Sequence, residues 1–188
     1  MLPGFRARPL TTAVSAALLA VAANTTLAQG TVLEEVIVTA QKREQNLQDV
    51  PLSVGTLTEE NLQVAVSAGA DVLALGARIP SLYVESSNGR LIPRFYIRGL
   101  GNSDFDINAS QPVSMVYDDV VLENPAAKGM PLFDIGAVEV LRGPQGSLFG
   151  RNTTAGIVKF SSRRPTEETE GYFAASYGRY DQRTIEGA

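Results

Sequence analysis

The chain has 188 residues, with 16 basic against 20 acidic side chains, a net charge of −4, and neither histidine nor cysteine. The acidic balance argues against a nucleic-acid partner, and the missing imidazoles and thiols remove serine-histidine nucleophiles, imidazole bases and soft metal ligands. Carboxylates, lysines and hydroxyls are what remain for chemistry, so the composition points away from a hydrolase of the usual nucleophile type, and an exported enzyme using Asp118, Asp119 or Glu139 finds no supporting constellation.

Residues 1–28 read as a secretory leader: Arg6 and Arg8 supply a positive start, residues 10–23 are mostly apolar, and Thr26, Leu27 and Ala28 offer a small-residue cleavage site. The apolar run is too short and too interrupted to span a bilayer. The leader takes two of the basic residues and none of the acidic ones, leaving the mature chain at −6. An exported chain without cysteine has no disulfides, so it must fold by burying a core, and the roughly 160 residues left suit one domain with tails.

Residues 29–45 are polar around one apolar island, Val36, Ile37 and Val38, flanked by Glu34 and Glu35 and then by Gln41, Lys42 and Arg43. Three β-branched residues favour an extended backbone, and the flanks offer nothing to pack against. This predicts a flexible arm carrying a short strand-former, with an edge strand of the following domain as the alternative. The ordered part opens with a strand over residues 51–54. Thr58 is placed to cap a helix with Glu59 and Glu60 in its first turn and Leu62, Ala65, Val66 and Gly69 at helical spacing. A second short helix over 71–77 stops before Pro80, and Leu82, Tyr83 and Val84 are extended. Strands are predicted over 94–98, 113–117, 137–141 and 155–161, joined by long polar loops at 86–93 and 101–112. Helices first and strands after give a small α+β domain over 46–165, with a mixed sheet of four to five strands and short helices. An acidic linker follows, and then residues 171–180, the length of one transmembrane β-strand, whose alternation is poor because Tyr172 and Phe173 fall on opposite faces.

The glycines from Gly143 to Gly156 do not form a phosphate loop, because Arg151 and Asn152 follow Gly150 where Lys and Ser or Thr are needed. Gly99 and Gly101 do not open a dinucleotide fingerprint, because Asp104 stands where the third glycine belongs. The glycines are read as tight turns. Asp104, Asp106, Asp118, Asp119 and Glu123 match no calcium-loop spacing, and Asp118-Asp119 reads as a turn between strands. No catalytic, cofactor or metal site is assigned. Arg98, Arg142 and Arg151 each stand beside a glycine at an expected strand end. There the guanidinium forks suit carboxylates on an enclosing wall, with Glu139 the one obvious partner in the same stretch, and ordinary surface charge is the alternative.

In order along the chain, the leader, EEVIVTAQKR at 34–43, IRG at 97–99, VYDDVV at 116–121 and VEVLRGPQGSLFGRNTTAGIVKFSSRRP at 138–165 resemble the amino-terminal part of TonB-dependent outer-membrane receptors. The resemblance implies four parts: a signal peptide at 1–28, an arm with a TonB box at 29–45, a plug at 46–165, and a linker with the first barrel strand at 166–188. The plug would sit inside a transmembrane barrel of roughly 22 strands that is otherwise missing, so the chain reads as a fragment. TonB, with its inner-membrane energising complex, would pair with Glu35, Val36, Ile37, Val38, Thr39 and Ala40. Arg98, Glu139, Arg142 and Arg151 would make plug–barrel ion pairs, and Arg90, Asp104, Phe105, Asp106 and Asn108 would lie in ligand-facing loops. The implied protein imports a scarce solute such as an iron–siderophore complex across the Gram-negative outer membrane, contacting lipid through the missing barrel, with its plug facing the periplasm. The rival reading is a free-standing periplasmic plug that binds ligand or TonB without transport. Only residues 29–32 separate the cleavage site from Leu33, which leaves no room for a preceding signalling domain.

Overall fold

The island of β-branched residues at 36–38 sets the first strand, β1 (Ile37–Val38), which pairs antiparallel with β2 (Gln45–Asn46). The computed structural model describes residues 36–66, 71–86, 89–104, 106 and 108–188; the leader, Glu35 and Phe105 lie outside them. Next come β3 (Ser53–Thr58), helix α1 (Glu59–Val66), a 3-10 helix (Val72–Ala77) and the hairpin of β4 (Leu82–Ser86) with β5 (Pro93–Ile97). The second half holds β6 (Val113–Tyr117), β7 (Val120–Leu122), a 3-10 helix (Pro125–Lys128), β8 (Ile135–Arg142), the one-turn helix α2 (Gly146–Phe149) and β9 (Gly156–Ser162). Two further strands, β10 (Phe173–Tyr177) and β11 (Arg183–Gly187), follow the linker. The expected α+β class and mixed sheet are present: five strands in the order β3-β8-β9-β6-β7, with β6 and β9 parallel and the other neighbours antiparallel.

Two apolar layers cover this sheet, and strand alternation decides which residue faces which. Val138 and Val140 of β8, Val158 and Phe160 of β9, and Val113 and Met115 of β6 face a core shared with Leu62 of α1, Leu75, and Phe95 and Ile97 of the β4–β5 hairpin. Residues of the other parity, Leu141, Ile157 and Val116, face a second core completed by Val38, Ala40, Val50 and Phe149. Ile135 reaches the first core because the β8–β9 register shifts between Ile135 and Ala137.

Two expectations are corrected here. The arm over the described residues 36–45 is seated, not loose: Val38 and Ala40 are wholly buried. The island does have a core to pack against, built from strands more than seventy residues downstream, which no local reading reveals. The tail is also not one strand over 171–180. The chain turns at Gly178–Gln182, with Tyr180 and Asp181 in the left-handed region, and pairs Phe173 with Gly187 through to Tyr177 with Arg183. Every side chain of β10 is exposed.

Candidate functional site

The arm crosses the second face of the sheet at its centre. Its apolar residues Val36, Val38 and Ala40 join the cluster around Leu141 and Ile157, and Lys42 in the left-handed region turns the chain so that its ammonium lies 5.1 Å above the ring of Phe149. Each fully buried valine stabilises such a seat by about 1.5–3 kcal/mol. Ile37 points the other way and is exposed. Beside the arm runs a groove of about 740 Å³, lined by Ile37, Lys42 and Arg43 of the arm and by Asp118, Gly136 and Arg164 of the sheet side.

Between the two apolar patches lies a polar contact. Glu139 and Lys159 are cross-strand partners on β8 and β9, and alternation turns both toward the arm. The Thr39 N–H donates to Glu139 Oε1 at 2.6 Å, and the Thr39 hydroxyl lies 3.3 and 3.4 Å from the two carboxylate oxygens. Lys159 Nζ donates to the Thr39 carbonyl at 3.2 Å and pairs with Asp119 at 2.9 Å. The same carbonyl accepts from the Lys42 N–H at 2.9 Å, closing the turn that ends the strand. Glu139 and Lys159 are 2% and 3% exposed. Burial pushes the Glu139 carboxyl above its ordinary value, against the opposing pull of the Thr39 donors and the Lys159 cation. Glu139 is therefore not an outward-facing partner for a barrel wall, as the sequence suggested. The alternation that sends Val138 and Val140 into one core sends it under the arm. Lys159, Asp119 and Phe149 were missed as arm contacts; a lysine inside the apolar run Ile157–Phe160 was the one available signal.

Arg98 and Arg142 do come together. Arg98 ends β5 in the left-handed region, with its N–H on the Ser81 carbonyl. Arg142 ends β8 and donates through Nη2 to the Pro80 carbonyl at 2.8 Å and through Nη1 to Ser53 at 3.4 Å, while its Nε is buried without a partner. Burial and the nearby Arg98 charge lower the Arg142 pKa. Among the described residues no carboxylate is within ion-pair distance of either guanidinium. Arg151 is exposed just after α2, apart from them. In the loops, Arg90 is paired with Asp71. Asn102, Asp104 and Asp106 each accept the backbone N–H two residues on, which strings Asp104, Asp106 and Asn108 into successive tight turns.

The tail hairpin is amphipathic in a way its sequence hid. The register places Phe173, Ala175, Tyr177 and Ile185, with Arg183 at the turn end, on one face and Ala174, Ser176, Thr184 and Glu186 on the other. Among the described residues no helix is long and apolar enough to cross a membrane, a statement that does not bear on strands.

The family model described as TonB-dependent Receptor Plug Domain matches residues 46–157. The pesticin receptor of Yersinia enterocolitica is 31% identical over 94 residues, covering 50% of this chain and 14% of that protein. The vitamin B12 transporter BtuB of Vibrio vulnificus is 24% identical over 159 residues, covering 81% of this chain and 24% of its own length. Among solved structures, the ferric yersiniabactin uptake receptor FyuA of Yersinia pestis superposes with a TM-score of 0.64 at 24% identity, over 71% of this chain and 20% of that one. The alcaligin outer-membrane receptor FauA of Bordetella pertussis does so with a TM-score of 0.58 at 24% identity, over 77% and 24%. The chain spans a quarter or less of the length of these relatives. With a matching domain that fills most of the described fold, the chain belongs to the TonB-dependent receptor plug family, whose place is the outer membrane.

Proposed function

We propose that this chain is the arm, plug and opening barrel strands of an energised outer-membrane importer, in which TonB adds a strand to the arm at residues 35–40 and pulls. The reading rests on the state of the arm. A short strand with an exposed Ile37 lies on the plug, held by three small apolar side chains and a handful of hydrogen bonds. Such a segment is extended enough to pair with a partner strand and weakly enough held to leave its seat. The unsatisfied Arg142 Nε and the Arg98–Arg142 pair support contacts to carboxylates of an enclosing wall, and the β10–β11 face, apolar except for Arg183 at its turn end, supports that wall's being a lipid-facing barrel.

The cargo is a scarce solute, with iron–siderophore complexes the class favoured by relatives named for ferric yersiniabactin and alcaligin. Arg90, Asp104, Asp106 and Asn108 are its candidate contacts. The protein carries out no chemical reaction; it receives and admits. Ile37→Pro in the full-length receptor removes a backbone donor and breaks the strand. The expected result is loss of binding to the periplasmic domain of TonB and of energised uptake, with the receptor still in the outer membrane. An uptake unchanged by the substitution, or recovery of the protein as a soluble periplasmic species near this chain's own mass, overturns the reading.

A further inference from the structure

On the second face of the sheet, Glu139 and Lys159 are two charged side chains, 2% and 3% exposed, set among the apolar residues Val116, Leu141 and Ile157. Buried charges are costly unless partnered, and a valine or threonine at either position would pack without that cost. What these two side chains do is engage both backbone groups of one residue: the carboxylate takes the Thr39 N–H and the ammonium gives to the Thr39 carbonyl. A neighbouring β-strand would offer Thr39 the same acceptor and the same donor. The flanking residues, Val38 and Ala40, are buried on either side, so the arm is seated with both backbone groups of its central residue, Thr39, already satisfied.

We propose that Glu139 and Lys159 form a side-chain latch that imitates a strand partner for Thr39, so that an incoming strand has to displace them before it can pair there. This rests on the reading of the arm as the TonB contact. Asp119 steadies the ammonium from the β6–β7 turn. The two residues act by positioning the arm. The apparent affinity for the partner is reduced by the fraction of arms that are unlatched, so opening the latch tightens binding without any new contact.

The test uses the full-length receptor in detergent, with hydrogen exchange of the peptide spanning residues 36–41 and titration with the isolated periplasmic domain of TonB. Glu139→Ala and Lys159→Met are expected to speed arm exchange and tighten TonB binding by about tenfold or more. Exchange at Phe95–Ile97 in the opposite core should stay unchanged, and Glu139→Gln, which keeps an acceptor for the Thr39 N–H, should restore most of the protection. Asp119→Asn sits on an exposed turn and creates no cavity, so it keeps the test open if the buried variants fail to fold; a smaller rise in arm exchange is expected. Arm exchange that stays at the wild-type rate in the folded variants overturns the latch, even if TonB binds all of them. Faster arm exchange with no TonB binding to any form upholds the latch and removes the TonB reading instead.

Discussion

At the scale of single residues, two positions show how tightly the plug is specified. Gly156 has φ +147°, and a Cβ there would lie 2.2 Å from the Leu141 carbonyl oxygen, in the rung that joins β9 to β8. Gly156→Ala combines backbone strain with overpacking, and a loss of about 3 kcal/mol is expected, read from the urea dependence of amide protection in the plug. Asp71 caps the 3-10 helix at Val72 through the Leu73 N–H, and its carboxyl is held below the ordinary value chiefly by the hydrogen bond from Arg90, against desolvation. A depressed folded-state pKa means that the pairing stabilises the fold above the unfolded value and is lost as pH falls through the folded one. The stability difference between wild type and Asp71→Asn should therefore be present at neutral pH and shrink as the pH is lowered past the ordinary carboxylate value.

At the scale of elements, the arm and the tail hairpin are the parts that depend on distant partners. Val38→Arg places a charge in the core between Leu141 and Ile157. It should free the arm while leaving the first core intact, so that trypsin cuts at Lys42 and Arg43 roughly tenfold faster with the remaining plug fragment still protected. The central strands were legible in the sequence: the apolar runs at 113–117, 137–141 and 155–161 lie within a residue or two of β6, β8 and β9 because glycine, proline and polar loops bound them on both sides. The α1 helix was legible for the same reason, with Glu59 and Glu60 opening it. The seat of the arm was not, because it depends on cross-strand register. The register puts Glu139 opposite Lys159 and both beneath Thr39, and nothing within ten residues of either reports that. The turn that splits the tail was hidden as well. It places a tyrosine, Tyr180, at a positive φ of 61°, where glycine or asparagine would have announced it.

At the scale of the whole molecule, the exposed face of β10 and β11 carries Phe173, Tyr177 and Ile185, at 75%, 73% and 74% exposure. A two-stranded ribbon with such a face is not stable alone, in water or in lipid, and it calls for further strands. In the full-length receptor a probe at Ala175 should be quenched by lipid-soluble agents and a probe at Ser176 by aqueous ones, because the two point to opposite sides of the ribbon. Equal quenching at both positions would remove the barrel assignment for this hairpin.

The strand that follows the arm, β3, lies at the edge of the five-stranded sheet and bonds to β8 alone. If the proposed pull acts on the arm, the load would enter β3 at Ser53, whose rung faces Arg142, and reach Thr58 last. The hydrogen bonds would then fail one after another, as a zip opens, while the β8-β9-β6-β7 ladder would keep its rungs. On the proposed reading, an edge strand in this place would let a pull on the arm open a path at the side of the plug, and the same strand would return to register once the tension is gone.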